Sequence, residues 1–459
     1  MERKNMWTVY SEEQLRELEQ LNESYKLYLD NGKTERECIK VAVQMAQDAG
    51  YRDLKDVIAN GERLNPGDCV YVVCMDKTIA LFQIGKEPIE NGLNILGAHV
   101  DSPRIDVKQN PLYEAAELAY LDTHYYGGVK KYQWVTLPLA IHGVVVKKDG
   151  TVVNIVIGED EKDPVLVITD LLIHLSQEQL ELKAAKVVEG EKLDVLIGSK
   201  PLEGEEKEAV KANILKLIKE KYDIEEEDFL SAELEVVPAG KARDCGMDRS
   251  MVIAYGQDDR VCAYTSLVAM LEAKDLRRTA CCLLVDKEEI GSVGATGMQS
   301  RFFENAIAEM IGLTEDYSDL KLRRALANSK MLSSDVSAAF DPNYPGVNEM
   351  KNTAFFGRGI CFNKYTGSRG KGGCNDANPE FIAELRKVMA EEDVQFQTAE
   401  LGRVDQGGGG TIAYILANLN MDVIDAGIAV QNMHAPWEVV SKADVFEGYR
   451  GYKAFLKKM

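Results

Sequence analysis

The sequence predicts an α/β fold, in which a mixed β-sheet is flanked by helices and interrupted by an inserted, mostly β domain. Near both ends of the chain, apolar runs of strand length alternate with helical patterns, as in a sheet covered on both faces. The 459 residues are too many for one ordinary core. We therefore predict a main domain in two parts, residues 1–108 and 248–459, around an insert at residues 109–247.

Two helices open the chain. Apolar side chains recur every three or four residues between positions 11 and 29, behind a capping Ser11. A second helix is predicted from about Glu35 to Ala49, ended by Gly50. Three β-rich runs follow, CVYVVCM, TIALFQIG and LNILGAHV, and the last of them has the composition of a buried strand.

The insert differs in composition from its flanks. The run VVVKKDGTVVNIVIG predicts a β-hairpin, because Asp149-Gly150 tolerates the positive φ angles of a tight turn. A strongly charged stretch from Glu178 to Glu235 follows, with a short helical pattern around residues 214–218. These features predict a second domain of mostly β-structure.

Alternation of strands and helices returns after Met251. The runs VIAYG, TACCLLVD, SKMLSSD and DVIDAGI predict buried strands. The segments VCAYTSLVAMLEA, RFFENAIAEMI, NPEFIAELRKVMAEE and TIAYILANL predict helices. The last part of the chain is therefore expected to complete the main sheet.

Composition excludes several classes of function. A formal net charge of -21 repels phosphate backbones, so we expect no nucleic-acid partner. No run approaches the roughly 20 apolar residues that cross a bilayer, and the polar start is unlike a signal peptide. The nine cysteines are an odd number without framework spacing, typical of reduced thiols that fill core space. We expect a cytoplasmic protein with no membrane partner.

The first of five chemically distinctive segments is GAHVDSP, directly after a predicted strand, and the ends of strands in open α/β sheets are where sites form. A metal-binding histidine needs its second ring nitrogen fixed by an oxygen acceptor. Asp101 lies two residues beyond His99 along an extended chain and points to the same side, so it could supply that acceptor. Alone this pair is a weak signal.

The second and third segments are QDDR and DKEEIG. The carboxylate of Asp258 could bridge two cations, although Asp258 and Asp259 could equally cap the next helix. Glu288 and Glu289 follow the apolar run CCLLV, where adjacent carboxylates are costly to bury unless a cation offsets their repulsion. If Glu289 binds metal, Glu288 is free to act as a general base. An exposed acidic turn is the alternative, but the small residues of GSVGATG argue against it.

The fourth and fifth segments are SSDVS, which contains Asp335, and NMHAPW, which contains His434 and follows the predicted strand DVIDAGI. A lone histidine is more often a packed or surface residue than a ligand, but two of only five histidines fall at such strand ends. Together the five segments offer two histidines and three carboxylates as ligands. This nitrogen and oxygen set suits a pair of zinc, cobalt or manganese ions.

The series GAHVDSPR, QDDR, DKEEIGSVGATG, SSDVSAAFDPN and NMHAPWE, in this order and spacing, resembles the aspartyl aminopeptidase family of metallopeptidases. The resemblance covers essentially the whole chain, including the insert. It implies a zinc-peptidase-like main domain, an insert used for dimerisation, and two divalent ions per chain, zinc first. It also implies peptide substrates and a homo-oligomer built from dimers, up to a dodecamer. By this resemblance the metal ligands are His99, Asp258 as the bridge, Glu289, Asp335 and His434, with Glu288 as the base and Asp101 orienting His99.

The chain departs from the eukaryotic members of that family. Residues 339–343, Ala-Phe-Asp-Pro-Asn, stand where those members carry a histidine-rich segment, so the family's preference for acidic amino-terminal residues stays open. The insert carries the unusual run HYYGG, in which His124 could reach a neighbouring subunit's site. Lys364 could meet an acidic side chain of the substrate, or could equally belong to a solvated loop. Backbone N–H groups around Gly409 could hold a substrate oxygen, or form only a flexible turn.

Two other functions compete with an aminopeptidase. A related two-metal dipeptidase or deacylase would use the same ligands with different pocket walls. A non-catalytic scaffold would keep the assembly without hydrolysis. The presence of every ligand type together with Glu288 favours an enzyme.

Overall fold

The computed structural model describes residues 3–459 and confirms the α/β class, with mixed sheets flanked by helices. The chain divides into two compact units. The first unit contains residues 3–101, 242–433 and 438–459. The second unit contains Ser102–Lys241 together with the short segment His434–Trp437.

Side-chain caps open four of the eleven α-helices among residues 3–459; Ser11, for example, closes a capping box with Gln14 in front of the first helix. In chain order the helices are α1 (Glu12–Asn31), α2 (Glu35–Asp48), α3 (Leu54–Ala59), α4 (Gln177–Leu180), α5 (Ala209–Tyr222), α6 (Gln257–Glu272), α7 (Phe302–Thr314), α8 (Asp319–Ala327), α9 (Pro379–Glu391), α10 (Ala413–Ala417) and α11 (Lys442–Lys458).

The strands form three sheets among residues 3–459. In chain order they are β1 (Arg52–Asp53), β2 (Cys69–Cys74), β3 (Thr78–Gln83), β4 (Asn94–His99), β5 (Arg104–Ala115), β6 (Leu118–Tyr126), β7 (Leu139–Val146), β8 (Val152–Ile157), β9 (Val167–Ile168), β10 (Val195–Gly198), β11 (Ala232–Pro238), β12 (Arg243–Cys245), β13 (Met251–Ala254), β14 (Ala280–Val285), β15 (Lys330–Ser333), β16 (Ser337–Ala338), β17 (Ile360–Asn363), β18 (Phe396–Thr398), β19 (Asp422–Gly427), β20 (Ala429–Gln431) and β21 (Glu438–Ser441).

The largest sheet lies in the first unit, with the strand order β1-β2-β3-β14-β4-β15-β19-β17-β18. Its four central strands, β14, β4, β15 and β19, run parallel. β3 joins β14 antiparallel, and β17 joins β19 antiparallel, so the sheet is mixed. Because neighbouring parallel strands end at the same edge, the segments that follow β4, β14 and β15 meet there.

Helices cover both faces of this sheet, as the sequence predicts. Every residue of β3, β4 and β14 is buried, which explains their nearly continuous apolar runs. Cys282 packs in one core with helices α1, α2, α6, α9 and α11, while Cys281 packs in the other with α3, α7, α8 and α10. This division follows from the alternation of side chains along a strand. All nine cysteines are free thiols, and five of them are buried.

A five-stranded sheet in the same unit has the order β12-β13-β21-β20-β16. It pairs the strand before α6 with the strand before α11, since Ala254 of β13 lies opposite Glu438 of β21. The sequence predicted β13, in the run VIAYG, as part of the main sheet; it predicted neither this separate sheet nor helix α11. Its strands are two to four residues long, too short to show a clear alternation.

The second unit is built on an antiparallel sheet of seven strands, in the order β8-β7-β11-β5-β6-β10-β9. The predicted hairpin is present as β7 and β8, with Val146 opposite Val152. Gly150 has a φ of +88° in its turn, a value that favours glycine. Helix α5 covers the helical pattern predicted around residues 214–218. None of the helices described for residues 3–459 is long and apolar enough to cross a membrane.

Candidate metal centre

His99 is the last residue of β4 and is buried. Its Nδ1 lies 2.9 Å from the backbone oxygen of Asp101 and 3.3 Å from Oδ1 of the same residue. A ring nitrogen held by oxygen acceptors carries the proton, which leaves the other nitrogen as an electron-pair donor. That other atom, Nε2, is buried and forms no hydrogen bond within residues 3–459. A buried donor atom of this kind fits a metal ligand.

The carboxylate of Asp101 fixes the turn that follows β14. Its two oxygens accept hydrogen bonds from the backbone N–H groups of Glu288 and Glu289, each at 3.1 Å. Lys287 enters this turn with a φ of +70°. The ends of the neighbouring strands β4 and β14 are therefore tied together through one side chain. Glu288 comes to lie with its Oε2 3.9 Å from His99 Nε2.

Asp258 reaches the same histidine from the start of α6. Its Oδ1 lies 3.3 Å from His99 Nε2. Asp258 and Asp259 have non-helical backbone angles, a cis peptide bond joins them, and no side chain caps α6. The helix-cap alternative is therefore not what the structure shows. Asp259 instead accepts a hydrogen bond from the backbone N–H of His99, at 3.3 Å.

Asp335 follows β15 and completes the cluster described in the first unit. Its Oδ1 lies 4.0 Å from His99 Nε2. The segment around it is held close to β19, because a β-carbon at Gly427 would lie only 1.7 Å from the backbone oxygen of Asp335. Glycine at position 427 is thus required for this approach.

Two overlapping groups of ligand atoms result. His99, Asp258 and Asp335 offer atoms that all lie within 4.8 Å of one another, and so do His99, Glu288 and Glu289. Metal–ligand bonds of about 2.0–2.2 Å place two ligand atoms roughly 3–4.4 Å apart, so small side-chain shifts would suffice to hold a cation. The chemistry of these donors fits zinc.

Electrostatics also favour a cation at this position. Burial, followed by the charge of Glu288, raises the pKa of Asp335 well above its ordinary value. Burial likewise raises the pKa of Asp259, with the charge of Asp258 adding to it. Burial alone would lower the pKa of His99, but the carboxylates of Asp101 and Asp258 outweigh it and raise the pKa. A divalent ion would remove the repulsion that makes these groups retain protons.

His434 belongs to the second unit and is held there by the run HYYGG. Its Nδ1 lies 2.9 Å from the backbone oxygen of Gly128. A β-carbon at position 128 would lie 3.3 Å from that nitrogen, so the small residue allows the approach. As with His99, a backbone oxygen on Nδ1 leaves Nε2 as the donor atom.

A family model described as aminopeptidase I zinc metalloprotease (M18) matches residues 28–456. The chain belongs to the M18 family. It is a metallo-aminopeptidase, a hydrolase of a family of zinc metalloproteases.

Two bacterial relatives match this M18 chain over nearly its whole length. It is 64% identical over 456 residues to a probable M18 family aminopeptidase 1 of Clostridium acetobutylicum, covering 99% of this chain and 98% of the relative. It is 46% identical over 462 residues to a protein of the same name from Borrelia garinii subsp. bavariensis, and the match covers 100% of both.

Solved structures of M18 proteins share the fold. The crystal structure of an M18 aminopeptidase from Thermotoga maritima has a TM-score of 0.95 at 45% identity, covering 100% of both chains. The crystal structure of aminopeptidase I from Clostridium acetobutylicum has a TM-score of 0.93 at 60% identity, also covering 100% of both chains. The dodecamer of mApe1 from Saccharomyces cerevisiae, at 18% identity, has a TM-score of 0.76 over 94% of this chain and 95% of that one. That last likeness shows the fold alone.

The predicted substrate contacts of this M18 aminopeptidase have partners of their own. Lys364 forms an ion pair with Asp376, which Lys371 also contacts at 3.0 Å. Those two lysines hold the pKa of Asp376 below its ordinary value. Gly409 donates its backbone N–H to the oxygen of Thr366 at 3.0 Å.

His124 lies exposed on β6 of the second unit. Its ring stacks on that of Tyr125 with 5.2 Å between centroids, and its Nδ1 lies 2.7 Å from the backbone oxygen of Tyr125. The ring is therefore held in one orientation at the surface of that unit.

Sequence reasoning missed one acidic residue that supports the centre. Glu438 is buried, and its Oε2 accepts the backbone N–H of Asp258 at 2.9 Å. Its backbone oxygen accepts a hydrogen bond from the side chain of Gln257 at 2.6 Å. The available signal was an acid directly before the apolar pair Val439-Val440, since an acid in a buried strand needs a partner.

Proposed function

We propose that this M18 aminopeptidase removes the amino-terminal residue of peptides with two divalent ions per chain. The observation that supports this most directly is the group of His99, Asp258 and Asp335. Their ligand atoms lie within 4.8 Å of one another, and Nε2 of His99 is buried among protein atoms. Zinc is the expected metal, with cobalt or manganese as alternatives. The proposed ligands are His99, Asp258 as the bridge, Glu289, Asp335 and His434; the last rests on its motif and on the contact of Nδ1 with Gly128.

Glu288 is the proposed general base. Its side chain is 16% exposed, against 4% for that of Asp258, so it can reach a water and a substrate while remaining beside the ligands. The hydrogen bond from its backbone N–H to Asp101 holds it there. When bound, a pair of divalent ions lowers the pKa of a shared water from about 15.7 toward 7 and polarises the peptide carbonyl.

Proton transfer can then be assigned to a single group. The carboxylate of Glu288 takes the proton of the attacking water as the water oxygen bonds to the carbonyl carbon. The same carboxyl group gives that proton to the amine that leaves when the peptide bond breaks. A carboxylate of the cluster would bind the free α-amine of the substrate, which restricts attack to the first peptide bond.

The preferred amino-terminal residue depends on the side chains around that residue. Lys364 is the proposed contact for an acidic side chain, and its ion pair with Asp376 weakens its attraction for a second carboxylate. Substrates with acidic amino-terminal residues are therefore one class to compare with neutral ones. Backbone N–H groups around Gly409 are the proposed contacts for a substrate oxygen, although the N–H of Gly409 itself is bonded to Thr366.

The proposed assembly is a homo-oligomer built from dimers, up to a dodecamer. The yeast mApe1 structure is a dodecamer, and the close bacterial relatives match this chain over its whole length. In such an assembly His124 would contribute to the site of a neighbouring subunit. Light scattering at neutral pH checks the assembly, and a monomeric mass would contradict it. With the assembly intact, His124→Ala is expected to lower kcat/KM, and an unchanged value would remove that role.

The decisive experiment combines metal analysis with Glu288→Gln. The zinc-loaded wild type is expected to hold about two ions per chain and to release free amino acids from aminoacyl anilides. Glu288→Gln should keep its metal and lose roughly 100- to 10,000-fold in kcat, because amide nitrogen and oxygen cannot take up the proton. Glu309→Gln, an exposed change on α7, is the matched control and should behave like wild type.

Three outcomes separate the alternatives. Unaltered activity in Glu288→Gln would contradict the proposed base. Turnover of N-acylated anilides instead of free aminoacyl anilides would indicate a dipeptidase or deacylase. A wild type that stays inactive with zinc, cobalt and manganese would indicate a scaffold.

A further inference from the structure

A buried carboxylate anchors the glycine-rich segment that precedes α10. Thr411 follows Gly407–Gly410, and its hydroxyl donates a hydrogen bond to Oδ1 of Asp425 at 2.7 Å. Asp425 is only 3% exposed, and its Oδ2 accepts no hydrogen bond within the described residues. Burying a carboxylate costs free energy, so a residue kept for packing alone would be apolar here.

Asp425 lies opposite the end of the strand that precedes a proposed metal ligand. It lies on β19, directly opposite Ser333 of the parallel strand β15. Asp335 comes two residues after Ser333, and its backbone oxygen packs against Gly427, two residues after Asp425. The anchor of the glycine-rich segment is therefore at the sheet edge where the ligand cluster forms.

The glycine-rich segment also contacts the loop that contains Thr366 and Ser368. The backbone N–H of Gly409 donates to Thr366, and a β-carbon at Gly408 would lie 2.6 Å from the Cα of Ser368. Gly408 has a φ of +116°, which side chains rarely adopt. A cavity of about 210 Å³ lies between residues 365–371 and residues 400–408. The glycine-rich segment thus forms a fixed wall of this cavity.

We propose that Asp425, acting through Thr411, is a positioning residue that holds residues 407–411 as one wall of the cleft for the substrate's amino-terminal residue. This inference rests on the proposed function. Since the N–H of Gly409 is already engaged by Thr366, the wall acts by its position and shape. A displacement of the wall would weaken substrate binding more than it would slow the chemical step at Glu288.

The test uses Thr411→Val, which keeps the shape of the side chain and removes the hydroxyl. In the zinc-loaded enzyme we expect KM for aminoacyl anilides to rise by about tenfold, with kcat within about threefold of wild type. Hydrogen exchange of the backbone N–H groups in residues 404–411 should become faster. Thr411→Ser should return both KM and the hydrogen-exchange rates to wild-type values, because its hydroxyl can donate to Asp425.

A matched control separates positioning from stability. Thr314 at the end of α7 donates its hydroxyl to the backbone oxygen of Met310, at 2.8 Å, and lies far along the chain from Thr411. Thr314→Val should lower the thermal midpoint by about as much as Thr411→Val does, but should leave KM unchanged.

Asp425→Asn, which keeps an oxygen for Thr411, should retain a lower KM than Asp425→Ala. If wild type hydrolyses the anilides and the KM of Thr411→Val stays within twofold of it, the positioning role is wrong. If wild type hydrolyses none of them, the proposed function itself is wrong.

Discussion

The backbone oxygen of Asp101 lies closer to His99 Nδ1 than the Asp101 carboxylate does, at 2.9 Å against 3.3 Å. The carboxylate is used for the backbone N–H groups of Glu288 and Glu289. One residue therefore orients the histidine with its main chain and the acidic turn with its side chain. Three proposed functional residues depend on its position.

Replacement of Asp101 by asparagine should affect both metal binding and turnover. The backbone oxygen remains in Asp101→Asn, but the side chain has a single acceptor for two N–H donors. We expect a 10- to 100-fold loss of zinc affinity and a lower kcat, measured by competition with a chromogenic chelator and by anilide hydrolysis. Asp316→Asn, an exposed change in the same unit, is the control. Wild-type zinc affinity and kcat in Asp101→Asn would contradict the role described for its carboxylate.

Removal of metal should destabilise the protein, and more so at higher pH. Asp335, Asp259 and His99 all have pKa values raised in the metal-free fold, so this fold binds more protons than the unfolded chain does. The stability of the metal-free fold therefore falls as pH rises above the ordinary pKa values of these groups.

The measurement is the thermal midpoint with chelator and with zinc, at several pH values between 5 and 8. Zinc binds the deprotonated ligands, so the gap between the two midpoints should widen as pH increases. A gap that is constant or narrows with increasing pH would contradict the electrostatic account of the cluster.

Asp425 should give the protein a pH dependence that its amide variant lacks. Burial raises the pKa of this carboxyl to about 7, and the bond from Thr411 only partly opposes that effect. Between the ordinary value of about 3.9 and that raised value, the folded state holds a proton that the unfolded state has lost. Wild-type stability therefore decreases with pH across this window, by at most about 1.4 kcal/mol per pH unit from this group.

Asp425→Asn removes that dependence. Its stability relative to wild type should increase from about pH 4 to about pH 7 and then level off. Denaturant unfolding of the two proteins, with Asp422→Asn as a control on the same strand, checks this expectation. A relative stability that does not change with pH would show that Asp425 is ionised throughout.

Asp376 should weaken any preference of the enzyme for substrates with an acidic amino-terminal residue. It pairs with both Lys364 and Lys371, so Asp376→Asn leaves two cations without that counter-charge. We expect the ratio of kcat/KM for a glutamyl anilide to that for a leucyl anilide to increase by roughly threefold, as for exposed ion pairs. The increase should shrink at high salt. An unchanged ratio would place Lys364 outside the substrate site.

Strand-end motifs could be predicted from the sequence because buried parallel strands have a strong signal. The runs that lead to His99 and Glu288 are largely apolar, the run before Asp335 has the buried pair Met331-Leu332, and each is a strand of the main sheet. Their convergence follows from parallel pairing, which alternation with helices implies. The family resemblance that these motifs carry is confirmed by the match over residues 28–456.

Other features could not be predicted because their signals are non-local. Glu438 meets Asp258 only because β21 pairs with β13, which are nearly two hundred residues apart along the chain. Helix α11 is buried around much of its circumference, with Val445, Phe446 and Tyr452 among its buried residues. Such a helix lacks the one-sided apolar pattern that marks a surface helix.

The segment His434–Trp437 makes the second unit discontinuous in the chain. Within that unit the ring of His434 is held by Gly128, and a β-carbon at Gly240 would lie 3.5 Å from the ring of Trp437. Excision of Ser102–Lys241 would therefore leave His434 in the chain without the backbone oxygen of Gly128 that orients its ring. In this architecture a proposed ligand near the end of the sequence depends for its orientation on a segment that lies about three hundred residues earlier.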